Sequence, residues 1–98
     1  MKTNSPLSEQ PKIAFLNGNM VSFSEAKISI MAPGLTFAAA VFEGLRAYWN
    51  DKQEQLYVFR MSEHLERLQF SARVIELENP PSSDALAKQI LTSLSVNH

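Results

Sequence analysis

Leu56-Tyr57-Val58-Phe59-Arg60-Met61-Ser62-Glu63-His64-Leu65-Glu66-Arg67-Leu68 is where the chain changes its period. Leu56 to Phe59 is a short apolar run rich in aromatic and β-branched groups, the composition of a strand. Beyond it Leu65, Leu68, Ala72 and Ile75 recur at helical spacing. Ser62 is the expected N-cap, with Glu63 favourable in the first turn and Met61 placed as a hydrophobic staple. Glu63 and Arg67 are expected to pair as i,i+4 neighbours. Asn79-Pro80-Pro81 is expected to end this helix, because proline disfavours the α region before it.

Working upstream, Val41 to Trp49 reads as a longer strand. It places Val41, Glu43, Leu45, Ala47 and Trp49 on one face and Phe42, Gly44, Arg46 and Tyr48 on the other. Polar residues Asn50 to Gln55 return it to Leu56, forming a hairpin whose long loop leaves the register open. An earlier hairpin is sharper. Ile13-Ala14-Phe15-Leu16 and Asn19-Met20-Val21-Ser22-Phe23 flank Asn17-Gly18, a pair that supplies the positive φ angles of a type I′ turn. Lys27-Ile28-Ser29-Ile30 alternates as a short strand does, and Leu35 to Ala40 permits a helical turn. Downstream, Ser82 or Ser83 caps a second helix striped by Leu86, Ile90 and Leu94. The order predicts an α+β fold: a mostly antiparallel sheet from two hairpins plus a short strand, with two helices packed on one face. Residues 1–11 are polar and carry Pro6 and Pro11, so they are expected to form a flexible tail before a domain over residues 12–98.

Composition narrows the chemistry. With 98 residues, 45% hydrophobic and 19% charged, the chain has the makeup of one small globular domain. A net charge of -1 argues for neither nucleic acid nor an anionic membrane as partner. The absence of cysteine excludes disulfides, thiolate metal sites and cysteine catalysis. No apolar h-region opens the sequence and no apolar run reaches the length of a membrane span, so a cytoplasmic location is expected. The two histidines, His64 and His98, are far apart and make no metal constellation; His64 reads as a helix-edge or core-lining residue. Glycine-rich phosphate loops and nucleophile elbows are absent.

Arg60 is the most informative residue. It offers a rigid guanidinium fork at the start of a helix, whose free N–H groups and partial positive charge suit a phosphate or carboxylate. A surface ion pair with Glu63 is the plainer alternative. Gly44, inside a strand, marks either a bulge or a close backbone approach. Antiparallel pairing would bring Arg60 opposite positions 44 to 46, so that Arg60, Gly44 and Phe42 could share one wall. Phe37, Phe42, Tyr48, Trp49, Tyr57 and Phe59 are expected mostly in the core. Glu43 and Arg46 face opposite sides of the strand and make no acid/base pair.

Val41-Phe42-Glu43-Gly44-Leu45-Arg46-Ala47-Tyr48 resembles the FEG-x-R-x-Y segment of branched-chain amino acid aminotransferases. Phe59-Arg60-Met61-Ser62-Glu63-His64-Leu65-Glu66-Arg67-Leu68 resembles the F-R-x-x-E-H-x-x-R-L segment that follows it there. Phe70-Ser71-Ala72 and Phe15-Leu16-Asn17-Gly18 match further pieces, so the resemblance runs in order from Ile13 to Ile75. The family, the class IV or fold type IV aminotransferases, uses pyridoxal 5′-phosphate. Its chains are roughly three times this long and form homodimers, with a small N-terminal and a larger C-terminal domain.

The resemblance therefore implies an N-terminal domain fragment that serves transamination of leucine, isoleucine and valine with 2-oxoglutarate and is inactive alone. D-amino acid aminotransferase and aminodeoxychorismate lyase of the same family are the alternatives within it. A stand-alone phosphate-ligand module or an interaction domain is the alternative outside it. Arg60 falls on the family's cofactor-phosphate arginine, and Phe42 and Gly44 fall on positions lining the substrate pocket. Phe37 falls where the family usually has a tyrosine beside a glycine; here the pair is Phe37-Ala38, which removes a hydroxyl. No catalytic residue is implied in this chain. The family's cofactor-bearing lysine lies in the C-terminal domain, and Lys2, Lys12, Lys27, Lys52 and Lys88 all read as solvated.

Overall fold

Two tight turns organise the strands in a computed structural model that describes residues 10–97. Asn17 (φ 53°) and Gly18 (φ 80°) both take positive φ, as a type I′ turn requires. They join β1 (Ile13–Leu16) to β2 (Asn19–Ser22) antiparallel, with Leu16 opposite Asn19 and Ile13 opposite Ser22. A 3-10 turn over Phe23–Glu25 follows. A short helix, α1 (Pro33–Thr36), starts on Pro33, whose fixed φ suits a first helical position. The second hairpin pairs β3 (Ala47–Asn50) with β4 (Gln55–Val58), Ala47 opposite Val58. Helix α2 (Met61–Val74) follows, and α3 (Ser83–Asn97) closes the described chain.

The α+β class holds, with two antiparallel hairpins and helices. Its finer form needs correction, because the hairpins are two separate two-stranded sheets. Lys27 to Ile30 forms no strand: Lys27 N–H turns back to the Glu25 carbonyl (2.9 Å), and Ile28 and Ile30 lie exposed. The strand expected from Val41 is paired only from Ala47. Phe59 N–H still donates to the Arg46 carbonyl (2.8 Å), but Arg60 then takes φ 52° and turns the partner into a helix. Residues 41–45 lose their neighbour yet keep the alternation, with Val41, Glu43 and Leu45 less exposed than Phe42 and Gly44. The loop between β3 and β4 is shorter than expected. Asn50 and Gln55 are themselves paired, and Gln53 N–H donates to the Asn50 side chain (3.0 Å).

Helix ends differ from expectation as well. Arg60, not Ser62, precedes α2, and no side chain caps it. Its C-terminus falls before Asn79-Pro80-Pro81, through a Schellman motif. Glu76 N–H bonds to the Arg73 carbonyl (3.1 Å) and Leu77 N–H to the Ala72 carbonyl (2.9 Å), with Glu76 at φ 56°. Ser82 caps α3, its Oγ accepting from Ala85 N–H at 3.1 Å.

The chain divides into two compact units. In the unit of residues up to Ser29 and from Lys88 onward, Asn97 secures β1. Its Oδ1 accepts from the N–H groups of Lys12 (2.8 Å) and Ile13 (2.9 Å), while its Nδ2 donates to the Ile13 carbonyl (2.9 Å) and the Ser93 carbonyl (2.8 Å). In the unit of residues 30–87, Val41, Leu68, Ala72, Leu77 and Leu86 surround an apolar hollow of about 220 Å³. Leu65 and Ala72 are the buried apolar residues among those described. Phe37, Phe42, Tyr48, Trp49, Tyr57 and Phe59 are exposed, so the expectation that they form the core is corrected. Residues 1–9 of the expected tail lie outside the described residues; Gln10 and Pro11 are exposed. No helix among the described residues is long and apolar enough to cross a membrane.

Candidate functional site

Arg60 stands at the junction of β4 and α2. A left-handed residue there ends the strand and aims the first turn of a 14-residue helix, with no side chain occupying its N–H groups. The guanidinium is 66% exposed, stacks 5.6 Å from the Phe59 ring centroid, and lies 3.9 Å from the Glu63 carboxylate. That separation is an ion-pair distance, too long for a hydrogen bond, so the guanidinium fork keeps its donors for an incoming anion. A cavity of about 260 Å³ opens beside it, lined by Arg60, Glu63, His64 and Arg67. Three of these are bases, one turn or two apart on one helix face.

Glu43 is the group that sequence reasoning missed. Its carboxylate is 8% exposed and is gripped from α2. Arg67 donates twice, Nε to Oε2 and Nη2 to Oε1, both at 2.8 Å. His64 Nδ1 lies 2.7 Å from Oε1. Arg67 is thereby given to Glu43 instead of to Glu63, which pairs with Arg60. The hydrogen bonds from Arg67, then that from His64, lower the Glu43 pKa from 4.5 to about 2, and the same contact raises that of Arg67. A signal was present in the sequence: Glu43 shares a strand face with Val41 and Leu45, where a carboxylate needs a partner.

Of the predicted substrate-lining residues, Phe42 is 89% and Phe37 80% exposed. A Cβ on Gly44 would meet nothing within 4 Å, so its missing side chain answers to no approach from within this chain. None of the three lines the cavity at Arg60, so the expected common wall is not formed by these side chains alone. Ala38, beside Phe37, takes φ 53°. Lys12, Lys27, Lys52 and Lys88 are all exposed. No cluster of three or more metal-ligating side chains occurs among the described residues. The donors present thus suit a phosphate, at Arg60 and the open helix start, and no sheltered lysine accompanies them among the described residues.

No family model matches the chain. A protein of Aquifex aeolicus named "probable branched-chain-amino-acid aminotransferase" is 45% identical over 75 residues, which are 76% of this chain and 24% of that relative. The branched-chain-amino-acid aminotransferase of Escherichia coli K12 is 38% identical over 72 residues, 74% of this chain and 23% of its own length. Among solved structures, a branched-chain aminotransferase from Thermoproteus uzoniensis with norvaline superimposes with a TM-score of 0.81 at 40% identity. It covers 90% of this chain, which spans 29% of that one. The enzyme from Thermobaculum terrenum in PLP-form gives a TM-score of 0.80 at 28% identity, over 91% of this chain and 29% of its own. The chain therefore spans about a quarter of the length of the curated relatives it matches.

Proposed function

We propose that the chain, a member of the branched-chain aminotransferase family, provides the cofactor-phosphate site and one wall of the substrate pocket of a pyridoxal-phosphate transaminase. The single observation that supports this most is the Arg60 guanidinium, donors open, at the uncapped start of α2. Pyridoxal phosphate supplies the electron sink on which amino-group transfer depends. The chain's part is to bind and orient. Arg60 and the first-turn N–H groups hold the phosphate. Phe37 and Phe42 offer apolar surface to a branched aliphatic side chain such as that of leucine, isoleucine or valine, and Gly44 leaves room for its backbone. 2-Oxoglutarate is the amino acceptor in this reading. The domain spans residues 12–98, works as one part of a larger homodimeric enzyme, and does not turn over alone, because its described lysines are all in water.

The test is binding of pyridoxal 5′-phosphate and of inorganic phosphate to the 98-residue chain and to Arg60→Ala and Arg60→Gly. Losing a charged hydrogen-bonding group is expected to weaken both ligands about 10- to 100-fold. The glycine variant keeps the left-handed turn, so lost folding is not mistaken for lost binding. Unchanged affinity would leave Arg60 as no more than a surface partner of Glu63. A stoichiometric borohydride-trapped adduct on one lysine would overturn the claim of inactivity.

A further inference from the structure

Residues 41–45 alternate in exposure as a strand does, without a strand to hold them. Among the described residues no backbone hydrogen bond fixes this segment; the last is the one from Phe59 to Arg46. Glu43 sits at its middle, turned inward, with Phe42 and Gly44 turned outward on either side. The carboxylate accepts two hydrogen bonds from Arg67 and meets His64, both on α2. Arg67 lies seven residues after Arg60, two turns or about 10 Å along the helix. His64 and Arg67 line the same cavity as Arg60.

We propose that Glu43 is a positioning residue, whose grip on Arg67 and His64 fixes Phe42 and Gly44 relative to the anion-binding end of α2. What Phe42 and Gly44 are presented to rests on the proposed function; the tether itself does not. Phe42 and Gly44 are each one residue from the anchored Cα, so holding Glu43 removes most of their freedom. Glu43 also offsets the Arg67 charge beside Arg60. Its removal is expected to loosen the segment without weakening phosphate binding, an outcome that a general loss of structure would not give.

The experiment is backbone NMR of the 98-residue chain, with inorganic phosphate as probe, on the parent, Glu43→Gln and Arg67→Lys. Amide order parameters at Phe42 and Gly44 are expected near those of α2 in the parent, about 0.8, and below about 0.6 in Glu43→Gln. The α2 amides should be unchanged and phosphate affinity equal or up to threefold tighter. Arg67→Lys, which loses the bidentate fork but keeps the charge, should fall between.

A pH series adds a second readout. The Arg67 guanidinium and the His64 imidazole face Glu43, and their hydrogen bonds hold its carboxyl down at about 2 against 4.5 for an ordinary one. A folded pKa below the unfolded one means the tether is intact above 4.5 and is lost as pH falls toward 2. The Gly44 signal should therefore show a step below pH 4 that is absent in Glu43→Gln. Unchanged order at Phe42 and Gly44 in Glu43→Gln overturns the proposal, as does collapse of α2 together with the segment in both variants. Absence of any phosphate response in the parent would sink the Arg60 reading alone, since the order parameters decide the tether without a ligand.

Discussion

A Cβ in the left-handed region of backbone space clashes with its own carbonyl, at a cost of about 1 kcal/mol. The chain accepts that cost at Ala38, Arg60 and Glu76 among others. At Arg60 the turn converts a strand into a helix and sets the guanidinium at its start. At Ala38 no such return is visible, and the resemblance places a glycine there in the wider family. Ala38→Gly is expected to stabilise the chain by about 0.5–1 kcal/mol, measured by urea denaturation, with the fold unchanged by circular dichroism. Arg60 was legible in the sequence because it stands where a period of two gives way to 3.6. For Glu43 the strand face shows the need for a partner but not its identity, because Arg67 and His64 lie 24 and 21 residues away on another element, a separation that spacing arguments do not reach.

Turns and helices that rest on local chemistry follow the sequence, apart from the start of α2 at Arg60, whereas strands that need a distant neighbour do not. Asn17-Gly18 specifies its own turn, so β1 and β2 appear where expected, and Ser82 caps α3 with its own hydroxyl. A strand, by contrast, exists only beside another. Lys27 to Ile30 alternates but finds none, and Val41 to Arg46 loses its partner at Arg60. The first strand depends on Asn97, whose amide reproduces on one edge of β1 the pairing that a third strand would provide. Asn97→Ala leaves two N–H groups and a carbonyl of that edge without their partner. It is expected to cost about 2–3 kcal/mol in chemical denaturation. Faster amide hydrogen exchange at Lys12 and Ile13, with α2 unaffected, would locate the loss in that unit.

At the scale of the whole chain, aromatic side chains were assigned to the core by default, and the structure puts them on the surface. The default assumes that a sequence buries its large apolar groups within itself. Here Phe37, Phe42 and Phe59 offer apolar area outward, around the segment whose carboxylate is turned in, so surface and site were confused at the level of composition. The α+β class survived because it depends on hairpin and helix signals, which are local.

Trp49, on β3, is the sole tryptophan and is 47% exposed. The molecule thus carries one indole fluorophore, on the hairpin that leads into Arg60. In isolation it should emit at the red edge and be quenched readily by iodide. Anything that lies down on that ribbon would shift its colour toward blue, so occupancy of this face can be followed by light alone, without a label.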